Sequence, residues 1–344
     1  MLRAIVLAAS VGLAFGALGA AAQPAGYVPR EQRNGALKYW EAWGVISPDL
    51  SKRAADVDWD AIKGVTEWDA LPAEFRALAD EPLDSIANSL ENAANHGRCN
   101  FELQWEDGVM TLMPHLSKMR GAARVMRVAA RVDLAKGRPE KAAKGMAVVL
   151  KSAQDTSRDP VMISSLVGIA VADLALSEIE VQADSGKLTQ GAKRTLLAAL
   201  RGIDPADPMS TRASIVGEKE AFVPWVEKQF EGEKPGQNLM DLVDLENGVR
   251  KDEAKAYFGS LTKETFHKDI ARIRQAYDAL LVAWDKPGGK AELDAFSRKV
   301  DAGEYGTLAK YFLPSIGNAK AAQDKFRARL AGVIEKVEKA PVVK

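Results

Sequence analysis

The only cysteine of the chain lies close to two of its three histidines. Cys99 follows His96 by three residues, and His115 comes after a short segment in which aromatic and polar residues alternate. A cysteine beside a histidine becomes a nucleophile when a cation or a helix N-terminus stabilises its thiolate, and Arg98 is a neighbouring cation in the sequence. A free thiol can also join two chains through an intermolecular disulfide. We favour a third interpretation, in which Cys99 packs as a small buried hydrophobic residue.

Neither the histidines nor the carboxylates form a recognisable catalytic or metal-binding pattern. No histidine pair has the H-x-x-x-H spacing, and His96 with Cys99 supplies at most half of the ligands that a zinc site takes. A glycosidase needs two carboxylates that face each other across a cleft, with one pKa raised by burial. The acidic residues of interest lie on two predicted helices. Glu218, Glu220 and Glu227 are on the first, and Asp241, Asp244 and Glu246 are on the second. Because lysines alternate with the first group and a linker precedes the second, we interpret both as solvent-exposed and predict no catalytic residue, metal or cofactor.

Four arginines form one stripe along a predicted helix. Arg120, Arg124, Arg127 and Arg131 follow each other at spacings of four, three and four residues, which places them on one helix face. Such a stripe is able to bind an anionic group or the acidic surface of a partner. The alternative is a solvated helix face on which the arginines pair with acids such as Asp133 and Glu140.

A second candidate binding surface contains tryptophans. Trp40 and Trp43 begin a group of five tryptophans that all lie before residue 110. Exposed rows of aromatic side chains stack on sugars or hold partner peptides. The helical spacing of Trp40 and Trp43 instead favours a place in the hydrophobic core.

The composition is that of an ordinary globular protein. The chain has 344 residues, of which 47% are hydrophobic and 27% charged, and its formal net charge is zero. Disorder needs low hydrophobicity and a high net charge, so a folded chain is expected. A chain without excess positive charge does not attract nucleic acid, and we expect no such partner. With a single cysteine no internal disulfide forms, so stability must come from packing.

The first 22 residues have the three parts of a secretory signal peptide. A short positive start, Met1–Arg3, precedes the uncharged apolar run Ala4–Gly19, and Ala20–Ala22 then supplies an A-x-A cleavage site. We expect export to the periplasm or beyond, with cleavage after about Ala22; the alternative is that the run stays uncut as an anchor. No later stretch reaches the roughly 18 uncharged apolar residues that a membrane span needs.

Apolar residues recur at helical spacing through most of the remaining chain. Prolines and glycines mark the ends of the predicted helices, because proline is tolerated in a first turn and glycine favours a helix end. The predicted helices cover 34–43, 72–78, 83–94, 114–136, 139–153, 160–185, 188–202, 209–230, 239–249, 262–284 and a last one from 314. The helix over 160–185 is apolar on most sides and should be the central one. Pro224 predicts a kink or a break in the helix that contains it.

One segment has the pattern of strands. Phe101, Leu103 and Trp105 alternate with polar residues, and Asp107-Gly108 is typical of a hairpin turn, so a small β-hairpin is predicted near 100–112. The predicted fold class is otherwise all-α, with stacked antiparallel helical hairpins. We place an N-terminal helical domain at 23–230 and a C-terminal one at 238–340, joined by the linker Glu231–Gln237.

Two resemblances support a helical fold. Leu134–Gly137, followed by Glu140 and Ala142, resembles the turn and second-helix start of a tetratricopeptide hairpin, although no second copy follows at the expected period of about 34 residues. An array of such hairpins would therefore be irregular.

The wider resemblance rests on three stretches. These are NGALKYWEAW at 34–43, the run from Cys99-Asn100-Phe101 through Glu106-Asp107-Gly108 to PHLS at 114–117, and Leu313-Pro314 with the alanine-rich helix behind it. Together they resemble uncharacterised exported helical proteins of planctomycete-type bacteria. That family has no assigned activity, so the resemblance implies an exported all-helical fold and no catalytic residue.

The features present and missing together favour a binding role. Long amphipathic helices offer grooves for a partner helix or peptide. We expect an exported, non-enzymatic scaffold or binding module of the cell envelope that recognises a protein or peptide. The alternative is a helical hydrolase of cell-wall polysaccharide or peptide that uses an unassigned carboxylate. A third possibility is a role through intermolecular disulfides of Cys99.

Overall fold

The computed structural model describes residues 33–229, 251–286, 289–313 and 316–343. These residues are 76% helical and form fourteen α-helices without a β-strand, which confirms the all-α fold class. The predicted signal peptide, the linker at 231–237 and the predicted helix at 239–249 lie outside the described residues. The helices are α1 Ala36–Gly44, α2 Pro48–Ala55, α3 Ala73–Arg76, α4 Leu83–Ala94, α5 Pro114–Ala135, α6 Pro139–Thr156, α7 Met162–Asp184, α8 Gln190–Arg201, α9 Thr211–Gln229, α10 Lys251–Ser260, α11 Lys263–Asp285, α12 Gly289–Asp301, α13 Thr307–Phe312 and α14 Ile316–Lys339.

Local signals explain where many of these helices begin and end. Pro114 and Pro139 occupy the first turns of α5 and α6, where a missing backbone N–H costs no helical hydrogen bond. Thr189 accepts a hydrogen bond from the backbone N–H of Ala192 and so caps α8. Gly137 has a positive φ of 72°, which lets the chain turn sharply between α5 and α6.

The larger hydrophobic core surrounds α7. Helices α5, α6 and α7 pack along their lengths and are joined by short turns, so neighbours run antiparallel. The C-terminal part of α14 packs against α7 and α8 and completes this core. This is the expected stacking of helical hairpins, and the tetratricopeptide-like arrangement stays a prediction.

A second core forms around α11. It includes α9, α12, α13 and the first turns of α14, where Ile316 and Ala319 are buried. The same helix carries Phe326 and Leu330 into the first core, so α14 contributes to both. Helix α9, which the sequence assigns to the N-terminal domain, has Ile215 in the second core.

The predicted β-hairpin near 100–112 is wrong. An extended stretch leads into a 3-10 helix, Trp105–Met110, in which Gly108 has a φ of 55°. A Cβ atom on Gly108 would lie 2.1 Å from Cδ2 of Trp225, so this glycine allows the backbone to lie against the indole. Two isolated strands are marginal in water, and here the segment packs against α9 instead.

Of the kink or break predicted at Pro224, the break does not occur. Helix α9 continues past Pro224 to Gln229 rather than breaking there. Helix α7 is long and apolar enough by composition to cross a membrane, with a mean hydropathy of 1.7 over its best window, 61% of which is buried inside the protein. The apolar run is interrupted by Asp173 and Glu178.

Candidate functional site

The four arginines of the predicted stripe do not share one environment. Arg120 is exposed and Arg124 half-buried, whereas Arg131 is fully buried. The guanidinium of Arg127 lies 3.7 Å from the ring centroid of Trp59. The stripe is therefore neither one solvated face nor one anion-binding surface.

The buried end of that stripe is occupied by an acid of this chain. Arg131 donates from Nε and Nη2 to the two carboxylate oxygens of Glu178, at 2.8 and 2.9 Å. Arg127 Nε lies 3.6 Å from the same carboxylate. Asp133 pairs with Arg138, and Glu140 accepts from Thr189, so neither suggested acid serves the stripe.

The two candidate tryptophans, Trp40 and Trp43, also lie in different environments. Trp43 is buried and stacks on Phe101 at a centroid distance of 5.9 Å, as a core residue would. Trp40 is 39% exposed and meets Trp43 edge-on. The buried face of α1 is formed by Ala36, Tyr39, Ala42 and Trp43. Trp40 thus belongs to the exposed side of α1 together with Leu37.

Cys99 is buried next to a carboxylate. Burial, and then the negative charge of Asp155, raise the pKa of its thiol to about 12. A thiol with this pKa is almost wholly protonated near neutrality, which works against both a nucleophile and an intermolecular disulfide. The small-hydrophobe interpretation matches this burial.

The two nearby histidines make separate contacts. His96 Nδ1 lies 2.8 Å from the backbone oxygen of Asn92. His115 is fully buried, stacks on Phe101 and donates from Nε2 to Asp159 Oδ2 at 2.8 Å. Ser164 Oγ donates to the same Oδ2 at 2.9 Å. Asp159 therefore lies between histidine and serine, so this arrangement lacks the serine–histidine contact of a nucleophilic triad.

One carboxylate of the predicted exposed group is half-buried. Glu218 on α9 accepts a hydrogen bond from the backbone N–H of Met162 at 2.7 Å, at the N-terminus of α7. Burial raises the pKa of its carboxyl group to about 7. Burial, and then the negative charge of Glu218, raise the pKa of the Tyr277 hydroxyl group. The solvent-exposed interpretation is therefore wrong for Glu218, although Glu220 is exposed as expected.

A cleft of about 550 Å³ lies where α9, α11, α12 and α14 meet. We call it the cationic cleft, because five of its lining residues are basic and two acidic. Clefts of this size hold small ligands or a few side chains of a peptide. Its lining consists of Ala206, Arg212, Trp284, Asp285, Lys286, Gly289, Lys290, Lys320, Asp324 and Arg327.

Lys320 and Arg327, which we call the inner wall of the cationic cleft, are held by an ion pair and by hydrogen bonds within the chain. Lys320 is buried, with Nζ 3.1 Å from Asp324 Oδ1 and 5.1 Å from the ring centroid of Trp284. Gly289 leaves room for it, since a Cβ there would lie 2.9 Å from Lys320 Cε. Arg327 donates to the backbone oxygens of Pro205 and Ala206, both at 2.9 Å, and so fixes the loop before α9.

The rim of the cleft is more accessible. Arg212 donates through Nε and Nη2 to the two oxygens of Asp285, at 2.7 and 2.8 Å. Lys286 pairs with Glu292, and Lys290 with Asp294, and both lysine side chains are more than half exposed. A ligand entering the cleft would therefore first meet three cations, each of them paired with a carboxylate of this chain.

Sequence reasoning missed this cleft because its cations come from separate parts of the chain. Arg212, Lys286 and Arg327 are each separated by dozens of residues, and no local spacing connects them. The one local signal is that Lys286 and Lys290 flank the sequence Pro-Gly-Gly, which predicts a turn. The described residues hold no group of three metal-ligating side chains.

Comparison of this chain with protein-family models, curated proteins and solved structures found no match.

Proposed function

We propose that this chain is an exported, non-enzymatic binding module of the cell envelope that recognises an acidic segment of a protein or peptide partner. The supporting observation is the excess of cations in the cationic cleft of a chain whose formal net charge is zero. Because the chain as a whole has no charge preference, the cleft is a local attraction for acidic groups.

The fixed inner wall supports binding without a large ordering cost. Lys320 and Arg327 are already held by neighbouring groups, so a ligand would not have to immobilise them. The indole of Trp284 adds an apolar surface beside the charges. A short acidic peptide combines carboxylates for the cations with aliphatic carbons for this surface.

The hydrolase alternative has one observation in its favour. Glu218 has its pKa raised to about 7 by burial, which is the range of a general acid near neutral pH. However, Glu218 does not line the cationic cleft, and its hydrogen bond goes to a helix N-terminus. A second carboxylate facing it across a cleft would be needed, so we favour binding over hydrolysis.

Calorimetric titration of purified protein tests this function. The ligand is an oligoglutamate peptide with blocked ends, and the control peptide is oligoglutamine of equal length. We expect saturable binding of the first alone, weaker at higher ionic strength. The variants Lys286→Gln and Lys290→Gln should weaken binding. Arg201→Gln is the matched control, because Arg201 forms an exposed pair with Glu338 outside the cleft lining. No binding, or equal binding of the two peptides, would contradict the proposal.

A further inference from the structure

The ion pair between Arg212 and Asp285 has the geometry of a bound ligand. Both Asp285 oxygens accept from one edge of the guanidinium, at 2.7 and 2.8 Å, which is the two-pronged arrangement that arginine forms with carboxylates. The pair joins the start of α9 to the end of α11 at the cleft rim. A carboxylate of this chain thus already occupies an arginine that an acidic ligand would use.

Arg212 differs from the other arginine of the cleft. The guanidinium of Arg327 is held by two backbone carbonyls as well as by Asp324. The described hydrogen bonds of the Arg212 side chain all go to Asp285. Its backbone is fixed independently, since Arg212 N–H donates to Asp207 Oδ1 at 2.8 Å. The arginine can therefore exchange its carboxylate without releasing the start of α9.

Replacing Asp285 by another carboxylate on Arg212 costs little free energy. The side chains of Arg212 and Asp285 are 42% and 50% exposed, and ion pairs with this much solvent around them contribute little to stability. The Arg212 hydrogen bonds lower the pKa of Asp285, so Asp285 is an ionised competitor at neutral pH. A ligand carboxylate that takes its place keeps the same two hydrogen bonds.

We propose that Asp285 is a built-in competitor for the ligand, and that a carboxylate of the ligand binds by replacing Asp285 on Arg212. This inference rests on the proposed function and assigns the ligand group at that site as a carboxylate. In the free protein the pair keeps Arg212 occupied, and in the complex Asp285 turns to solvent.

A double-mutant cycle on the full-length purified protein tests this competition, with the oligoglutamate peptide as the probe. Asp285→Asn should tighten binding about two- to fivefold, because the competing pair is lost. Arg212→Gln should weaken binding about tenfold, and adding Asp285→Asn to it should then bring no gain. A gain that persists without Arg212 would show a general charge effect and overturn the inference.

The matched control is Asp278→Asn. Asp278 lies on α11 and pairs with Lys219 on α9 at 2.5 Å, so it belongs to a similar interhelical pair that does not line the cleft. This variant should leave peptide affinity unchanged. Tighter binding of inorganic phosphate than of glutarate at equal ionic strength would overturn the assignment to a carboxylate.

The outcomes separate this inference from the proposed function. If neither the wild-type protein nor Asp285→Asn binds the peptide, the proposed function fails and the inference fails with it. If the wild-type protein binds and Asp285→Asn binds no tighter, only the competition is overturned. Binding seen with Asp285→Asn but not with the wild-type protein would contradict the proposed function, and with it the inference that rests on it.

Discussion

Arg131 on α5 and Glu178 on α7 form a fully buried ion pair through two parallel hydrogen bonds, of 2.8 and 2.9 Å. Arg131 Nη1 also donates to the backbone oxygens of Ile62 and Val65, at 2.8 and 3.2 Å. One guanidinium therefore connects two central helices with the loop after α2. Because both charges are withdrawn from water, the loss of either one leaves the other without its partner.

Removing one member of this pair should destabilise the fold strongly. We expect Arg131→Met or Glu178→Leu alone to lower the free energy of unfolding by about 3–5 kcal/mol, since an unpaired charge stays buried. The double variant should lose less than the sum of the two. Urea denaturation measures all three, with Arg201→Gln, in an exposed pair, as a control expected to change it by less than about 1 kcal/mol. A loss below 1 kcal/mol for both single variants would contradict this account.

Glu218 should make stability depend on pH. Its pKa is about 7 in the folded protein and near 4.5 when unfolded, so burial favours the protonated form. The contribution of the Glu218 carboxyl group to the free energy of unfolding is fully present below pH 4.5 and is lost as the pH rises through 7. Glu218→Gln keeps an oxygen acceptor for Met162 N–H. Over that pH range the free energy of unfolding of this variant should therefore rise relative to that of wild type, by at most about 3 kcal/mol.

The control for Glu218 is its neighbour on the same helix. Glu220 is exposed, so Glu220→Gln should follow the wild-type pH dependence. Thermal unfolding from pH 4 to pH 8 records the comparison. Parallel curves for Glu218→Gln and wild type would show that this carboxyl group titrates normally in the folded protein.

Gly217 allows α9 to lie close to the turn between α6 and α7. A Cβ atom at this position would lie 2.4 Å from Pro160 Cβ and 2.7 Å from its backbone oxygen. Gly217→Ala should therefore separate the two segments and cost about 1–3 kcal/mol in urea denaturation. Gly259→Ala is the matched control, because its Cβ meets nothing within 4 Å and alanine favours a helix. Equal stability of both variants would contradict the close contact.

Cys99 should be unreactive in the folded protein. A thiol reagent such as Ellman's reagent should modify it slowly in buffer and completely in denaturant, since burial holds the pKa of the thiol at about 12. Non-reducing gels should show a monomer. Lys339→Cys in a Cys99→Ala background supplies an exposed thiol as a positive control, because Lys339 is 74% exposed. Fast modification of native Cys99 would contradict its burial.

The parts of the fold that depend on neighbouring residues in the sequence were predictable. Pro114 and Pro139 mark helix starts, Gly137 marks a turn, and Thr189 marks a cap, and each of these acts within one helical turn. The apolar surroundings of α7 followed from its lack of a polar face. For these elements the local physics and the packed structure agree.

Features set by distant residues were not predictable. Arg131 belongs to a regular stripe, and only the position of Glu178 on another helix makes its burial possible. The sequence pattern predicts that Glu218 is exposed, because its neighbours Met162 and Tyr277 are distant in the sequence. The 100–112 segment has a strand pattern, but the described residues contain no β-strand with which it could pair. The cationic cleft could not be predicted for the same reason, since its cations come together only after folding.

The most direct test of the central claim is to locate the acidic peptide on the protein. A carbodiimide joins peptide carboxylates to lysines in contact with them, and mass spectrometry of the digested complex identifies those lysines. We expect links at Lys286 and Lys290 of the cleft rim, absent when oligoglutamine replaces oligoglutamate. Links concentrated on lysines outside the cationic cleft, or scattered evenly over the surface, would contradict the account.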